Sequence, residues 1–244
     1  MQKRFSLVCA ILIASFLVLP ARSQAQSITE KVEWTWADRP EHPDPALPNV
    51  LLVGDSITRA YYEETSRLLQ GHANCYLFAT SASSGDPRLL IQISELATIM
   101  PHQFAVIHFN NGMHGWKYTE RQYGEGLPGF VTAVRKMSPS ATLIWASTTP
   151  VRKPVDSGAT NARVDERNRL ASAVMQRQHI KVDDQHDLML QHQDLHHDDV
   201  HFTAAGSAIQ AQQVARLILR DLFAESTGSP KRYIQRQTMT HLLR

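Results

Sequence analysis

From Val50 to Phe223, short apolar runs alternate with longer stretches of helical period, and few folds accommodate that alternation. Val50 to Val53, Cys75 to Ala79, Phe104 to Phe109, Thr142 to Ala146 and Ile180 to Val182 have the length and composition of buried strands. Tyr61 to Gln70, Pro87 to Met100, Gln122 to Met137, Asn168 to Gln178 and Ala204 to Phe223 read as the helices between and after them. The spacing predicts an α/β fold, a parallel sheet covered on both faces by helices. Right-handed crossovers then bring every loop that leaves a strand to one edge of the sheet, where sites in such folds form.

With 244 residues and 43% apolar content the chain is long enough for one sizeable core. It has no fixed-period repeat, Gly/Ser linker or low-complexity block to mark an internal boundary. The domain is expected over residues 50–225. Residues 26–49 carry Pro40, Pro43, Pro45 and Pro48 and are expected to form an extended arm docked by Trp34 and Trp36. Residues 226–244, with Lys231, Arg232 and Arg236, are expected to be a poorly ordered tail. Pro150 to Thr160 is the long loop after a strand and is expected to border the site.

Residues 1–25 stand apart. Lys3 and Arg4 precede an apolar run from Phe5 to Leu19, followed by Pro20 and the small-residue site Ser23-Gln24-Ala25. This is the pattern of a cleavable signal peptide and predicts a secreted or periplasmic protein cut after Ala25. The run is short for a membrane span, and no later stretch approaches 18 apolar residues, so no stable span is expected in the mature chain. Losing Lys3, Arg4 and Arg22 with the signal leaves 22 basic against 23 acidic residues, a net of −1 that offers no electrostatic case for nucleic acid. Cys9 departs too and lacks the preceding small residue of a lipidated cysteine; Cys75 alone cannot form an internal disulfide.

Two segments carry candidate chemistry. Val50 to Val53 ends in Gly54-Asp55-Ser56, so a serine sits where strand gives way to helix, with the helix N-terminus beside its hydroxyl. Capping of that helix by Asp55 or Ser56 is the purely structural alternative. In Asp198-Asp199-Val200-His201 a carboxylate three residues before an imidazole can reach its Nδ1–H and leave Nε2 to take the serine proton. Asp194-Leu195-His196-His197 has the same spacing; the later register is favoured because Phe202, Thr203 and Gly206 lead directly into the last helix. An exposed histidine-rich loop, or a metal site built from His186, His192, His196, His197 and His201 with nearby aspartates, are the competing readings of the region.

An oxyanion needs further donors. Ser81-Ala82-Ser83-Ser84-Gly85 follows the second strand, and Gly85 can bring a bare N–H close to substrate. The third strand runs into Asn110-Asn111-Gly112-Met113-His114-Gly115, which offers amide and imidazole donors. Polar turns with glycine at positive φ would serve equally for either segment.

These four segments, in this order, resemble the SGNH hydrolase superfamily, also called GDSL esterases and lipases, across about Val50 to Phe223. The resemblance implies a flavodoxin-like three-layer α/β/α sandwich with a central five-stranded parallel sheet. It also implies Ser56 as nucleophile and oxyanion donor, Gly85 as second donor, and Asp198 with His201 completing the triad. One block departs from the family's Gly-x-Asn-Asp: Gly112-Met113-His114-Gly115 puts histidine where the amide donor belongs. His114 is the slightly favoured third donor, with Asn111 the alternative. No Gly-x-Ser-x-Gly elbow occurs.

The expected activity is therefore ester hydrolysis through an acyl-enzyme, without cofactor or metal. By family implication the substrate is a small-molecule or carbohydrate ester, first an O-acetyl sugar; Trp116 and Tyr118 are a candidate stacking surface for it, with ordinary packing an equal reading. A lipase or acyltransferase on the same triad, a non-catalytic carbohydrate-binding module and a metal-dependent hydrolase are the alternatives.

Overall fold

In the computed structural model, which describes residues 26–100 and 103–226, six strands form one sheet. They are β1 (Thr35–Asp38), β2 (Asn49–Gly54), β3 (Asn74–Thr80), β4 (Phe104–Phe109), β5 (Thr142–Ala146) and β6 (Lys181–Asp183), ordered β1-β3-β2-β4-β5-β6. β2 to β6 run parallel, in the flavodoxin-like order, and β1 lies antiparallel on β3. The expected five-stranded parallel sheet is thus present with one addition. The arm supplies a sixth strand, hidden in the sequence because Thr35 to Asp38 is brief, mostly exposed and followed closely by prolines. Its ladder covers the edge of β3 that would otherwise stand open.

Among the described residues six helices accompany the sheet: α1 (Ser56–Leu68), α2 (Arg88–Ile99), α3 (Glu120–Met137), α4 (Asn161–Arg177), α5 (Gln185–Leu190) and α6 (Ala204–Ser226). The strand period of two sorts the core into two layers. Val50 and Leu52 of β2 pack with Tyr61, Tyr62, Val214 and Ile218 of α1 and α6. Leu51 and Val53 pack on the opposite face with Leu89, Ile93, Tyr123 and Phe130 of α2 and α3. Val50, Leu51, Leu52 and Val53 are fully buried, and each contributes roughly 1.5–3 kcal/mol of transfer free energy.

Two elements differ from expectation. α4 begins at Asn161 rather than Asn168, capped by the Thr160 hydroxyl, which accepts the Arg163 N–H. Its first turns direct Arg163 and Arg167 toward neighbouring loops instead of presenting an aliphatic stripe. The histidine-rich stretch also contains α5, capped by Asp184, and a single 3-10 turn at Gln193–Leu195. The expected signal (1–25) and the tail beyond Ser226 lie outside the described residues. Among the described residues no helix is long and apolar enough to cross a membrane.

From β2 the chain moves to β3 on one side, then crosses back to β4 on the other. That switch point opens a crevice at the C-terminal ends of β2 and β4, where Ser56 and the loop after Phe109 emerge.

Candidate active site

The turn after β2 divides its labour between adjacent residues. Asp55, buried and extended, caps α1: its Oδ1 accepts the Ile57 N–H at 3.0 Å, and its Oδ2 accepts the Met113 N–H at 3.3 Å. The structural capping role therefore falls to Asp55, and the Ser56 hydroxyl is left for another partner. Ser56 opens α1, so its own N–H has no intrahelical acceptor. Gly54 is required by space, because a Cβ there would lie 1.9 Å from Thr58 Oγ1.

That partner is His201. Ser56 Oγ lies 2.7 Å from His201 Nε2, and His201 Nδ1 lies 2.9 Å from Asp198 Oδ2. The other oxygen of Asp198 accepts the N–H groups of Val200 and His201, each at 2.7 Å, closing the turn that presents the ring. Burial pushes the Asp198 carboxyl up, but the two N–H donors and the imidazole outweigh it and hold it at about 2.

Of the two histidine registers, it is the later one that faces Ser56. His197 donates its N–H to the His201 carbonyl, and His196 stacks on Phe202 at 4.2 Å, so both brace the loop rather than meet Ser56. Asp199 turns away to Arg152 at 2.9 Å and Lys153 at 3.4 Å, which ties the loop after β5 to this segment as expected.

Gly85, in the loop between β3 and α2, has an N–H with no hydrogen-bond acceptor among the described residues. Ser84 beside it donates to the Tyr123 carbonyl of α3. Of the two candidate side-chain donors after β4, Asn111 is buried and donates its amide to the Ala82 carbonyl. His114 is partly open, uses Nδ1 toward Glu30 Oε2 at 2.9 Å, and leaves Nε2 without a hydrogen-bond partner among the described residues.

Three residues that organise this loop escaped the sequence reading. Arg167, fully buried in α4, donates to the carbonyls of Gly112, His114 and Gly115 at 2.7–2.9 Å, with its guanidinium 3.8 Å over the Trp116 ring. Burial pulls its ordinary value down to about 10, which still leaves it charged at neutral pH. Arg163 holds the carbonyls of Trp116, Gly158 and Tyr118. Glu30, from the arm, accepts the Gly115 N–H at 2.7 Å as well as the His114 imidazole. The i, i+4 spacing of Arg163 and Arg167 in a polar stretch was the one available signal.

Trp116 and Tyr118 do not form the expected stacking surface. Both are buried: Trp116 packs against the arginines and donates Nε1–H to the Met113 carbonyl, and the Tyr118 hydroxyl accepts the Ile28 N–H at 2.6 Å. The histidines considered for metal are dispersed, with His186 near Asp165 at 3.2 Å and His201 on Ser56. Among the described residues no group of three or more His, Cys, Asp or Glu side chains is arranged to hold a metal ion. A second histidine–aspartate pair, His108 with Asp183 at 2.8 Å, is fully buried and links β4 to β6 away from Ser56. Cys75 is buried too, and burial pushes its thiol up.

Comparison with known proteins places this constellation in context. A model of the GDSL-like lipase/acylhydrolase family matches residues 52–209, which contain Ser56, Gly85, Asp198 and His201. No curated protein sequence matches the chain. Among solved structures, a lipolytic protein of the G-D-S-L family from Veillonella parvula superposes with a TM-score of 0.59 at 16% identity, covering 70% of this chain and 98% of that one. The aryl esterase of M. smegmatis gives 0.55 at 16% identity, with 72% and 99% covered. Axe2, an acetylxylan esterase from Geobacillus stearothermophilus, gives 0.56 at 15% identity, with 72% and 94% covered. At these identities the structural likeness is one of fold.

Proposed function

The chain belongs to the GDSL-like lipase/acylhydrolase family and is a carboxylic ester hydrolase, and from that footing we propose that it is an exported serine esterase that removes short acyl groups, foremost acetyl, from carbohydrate hydroxyls. The observation that carries the catalytic part is the unbroken hydrogen-bonded line from Ser56 Oγ through the His201 ring to Asp198.

His201 Nε2 takes the proton of Ser56 Oγ as that oxygen attacks the ester carbonyl. Asp198 keeps Nδ1 protonated and stabilises the imidazolium that results. The N–H groups of Ser56 and Gly85 receive the developing oxyanion, and the His114 ring, with an open nitrogen, is a better third donor than the committed amide of Asn111. His201 then delivers its proton to the leaving alcohol, the acyl-enzyme remains on Ser56, and a water deprotonated by His201 releases the acid.

A small acyl group and a polar alcohol suit the walls. The loops 81–86, 110–115 and 198–201 carry Ser, Asn, Asp and His, with Met113 and Val200 as their only large apolar side chains. One structural neighbour is by name an acetylxylan esterase, whose ester joins an acetyl group to a carbohydrate, which supports the reading. Export rests on the leader-like residues 1–25.

The test is hydrolysis of p-nitrophenyl esters of graded acyl length and of acetylated xylo-oligosaccharides by the wild type and Ser56→Ala. We expect acetate release that declines with acyl length and vanishes in the variant. Turnover that survives Ser56→Ala would overturn the serine mechanism, and a preference for long acyl chains would overturn the substrate assignment. Recovery of a cell-associated chain still starting at Met1 would contradict export.

A further inference from the structure

We propose that Glu30 is a positioning residue, reaching in from the N-terminal arm to hold His114 as an imidazolium whose Nε2–H completes the oxyanion hole in place of the family's amide. This rests on the esterase reading above and adds to it a residue outside the family-matched span of 52–209.

The geometry defines the ring's chemistry. Glu30 Oε2 occupies Nδ1 at 2.9 Å while Oε1 accepts the Gly115 N–H at 2.7 Å, so one carboxylate fixes both the ring and the backbone after it. Trp34, from the same arm, packs edge-on against the ring at 5.7 Å. With Nδ1–H committed to Glu30, a neutral ring would leave Nε2 a bare lone pair, which repels an anion; only the doubly protonated ring donates from that nitrogen. The loop carrying His114 is anchored on the Ser56 turn, through the Met113 N–H on Asp55.

The surroundings favour the cation. Glu30 and Glu33 of the arm and Asp55 before α1 face the ring, with Arg88 pairing Glu33 and the Arg167 guanidinium of α4 on the His114 carbonyl; His201 lies on Ser56. Burial pulls the His114 ring down, but Glu30 and the other carboxylates outweigh it and raise it above the ordinary imidazole value, and Glu30 is correspondingly lowered.

The test measures kcat and KM against pH on p-nitrophenyl acetate for wild type, Glu30→Gln, His114→Asn and the double variant. We expect wild-type kcat to decline on the alkaline side as His114 loses its proton. Glu30→Gln should move that decline to lower pH and cost on the order of 10²-fold in kcat beyond it, with KM little changed. His114→Asn supplies an amide directly, so it should abolish the alkaline decline, and Glu30→Gln should then cost nothing further. The arm keeps its other ties in these variants, from Ser27 to Asp86 and from Ile28 to Tyr118. A wild-type kcat and pH profile in Glu30→Gln, or an equal loss from it in both backgrounds, would overturn the proposal. Ser56 labelling by a fluorophosphonate reports separately on the esterase reading, whose failure would appear as an unlabelled wild type.

Discussion

Asp198 binds His201 twice, through its backbone N–H at 2.7 Å and through its ring Nδ1 at 2.9 Å. One carboxylate thus both folds the turn and chooses the tautomer. The neighbouring Asp199 does neither and instead pairs with Arg152 and Lys153.

This division makes the two aspartates an internal control. In Asp198→Asn the amide oxygen can still accept the N–H groups, but the NH₂ faces Nδ1 and drives the proton to Nε2. We expect kcat to fall by about 10²- to 10⁴-fold with the fold retained, the lower end reflecting a half-exposed side chain. Asp199→Asn should change kcat by less than about threefold, since its exposed ion pair contributes little. Steady-state kinetics on p-nitrophenyl acetate separate the two, and equal losses would refute the assignment.

The same contacts set an acid-range signature. Asp198 is held at about 2, below its ordinary 3.8, so its ionised contacts stabilise the fold above pH 4 and that contribution disappears as the pH falls toward 2. The stability gap between wild type and Asp198→Asn, read from denaturant melts by circular dichroism, should be present at pH 5 and close between about pH 4 and pH 2. A gap independent of pH would mean that the carboxylate's charge is not what these contacts use.

Arg167 predicts a loss of order behind the site. Arg167→Met removes the donor from three carbonyls and should cost about 2–4 kcal/mol of stability, because buried acceptors are left unpaired. Thermal melts measure this. A variant as stable as wild type would mean that water or repacking satisfies the three oxygens.

Gly126 predicts a loss of geometry without touching substrate. A Cβ there would meet the Ser84 carbonyl at 1.7 Å and Gly85 N at 3.3 Å, so Gly126→Ala must push the loop carrying Gly85 off α3. We expect kcat to fall by about 10²-fold, since displacement of order 1 Å suffices. Wild-type kcat in a folded Gly126→Ala would show that the Gly85 N–H is not part of the hole.

Much of this arrangement was legible in the chain. The runs from Val50 and Phe104 read as buried strands because both faces of a parallel sheet are covered, and Gly54-Asp55-Ser56 fell where strand meets helix. What escaped detection lacks periodicity. β1 is four residues whose pairing depends on β3, some 40 positions away, and Glu30 gains meaning only when the arm folds back over Gly115. Arg163 and Arg167 drew no notice because burial of an arginine against carbonyls leaves no apolar trace. For Trp116 and Tyr118 the chain left packing and binding surface equally open, because aromatic residues beside a site suit either until their hydrogen bonds place them inside.

Because Ser27 is bonded to Asp86, the residue after Gly85, anything fused just ahead of it would start within a side chain's length of the loop that carries Gly85. An affinity tag or carrier domain joined at that position is expected to press on this loop. Preparations that differ only in how many residues precede Ser27 should therefore be compared with one another before their kinetics are taken as the enzyme's own.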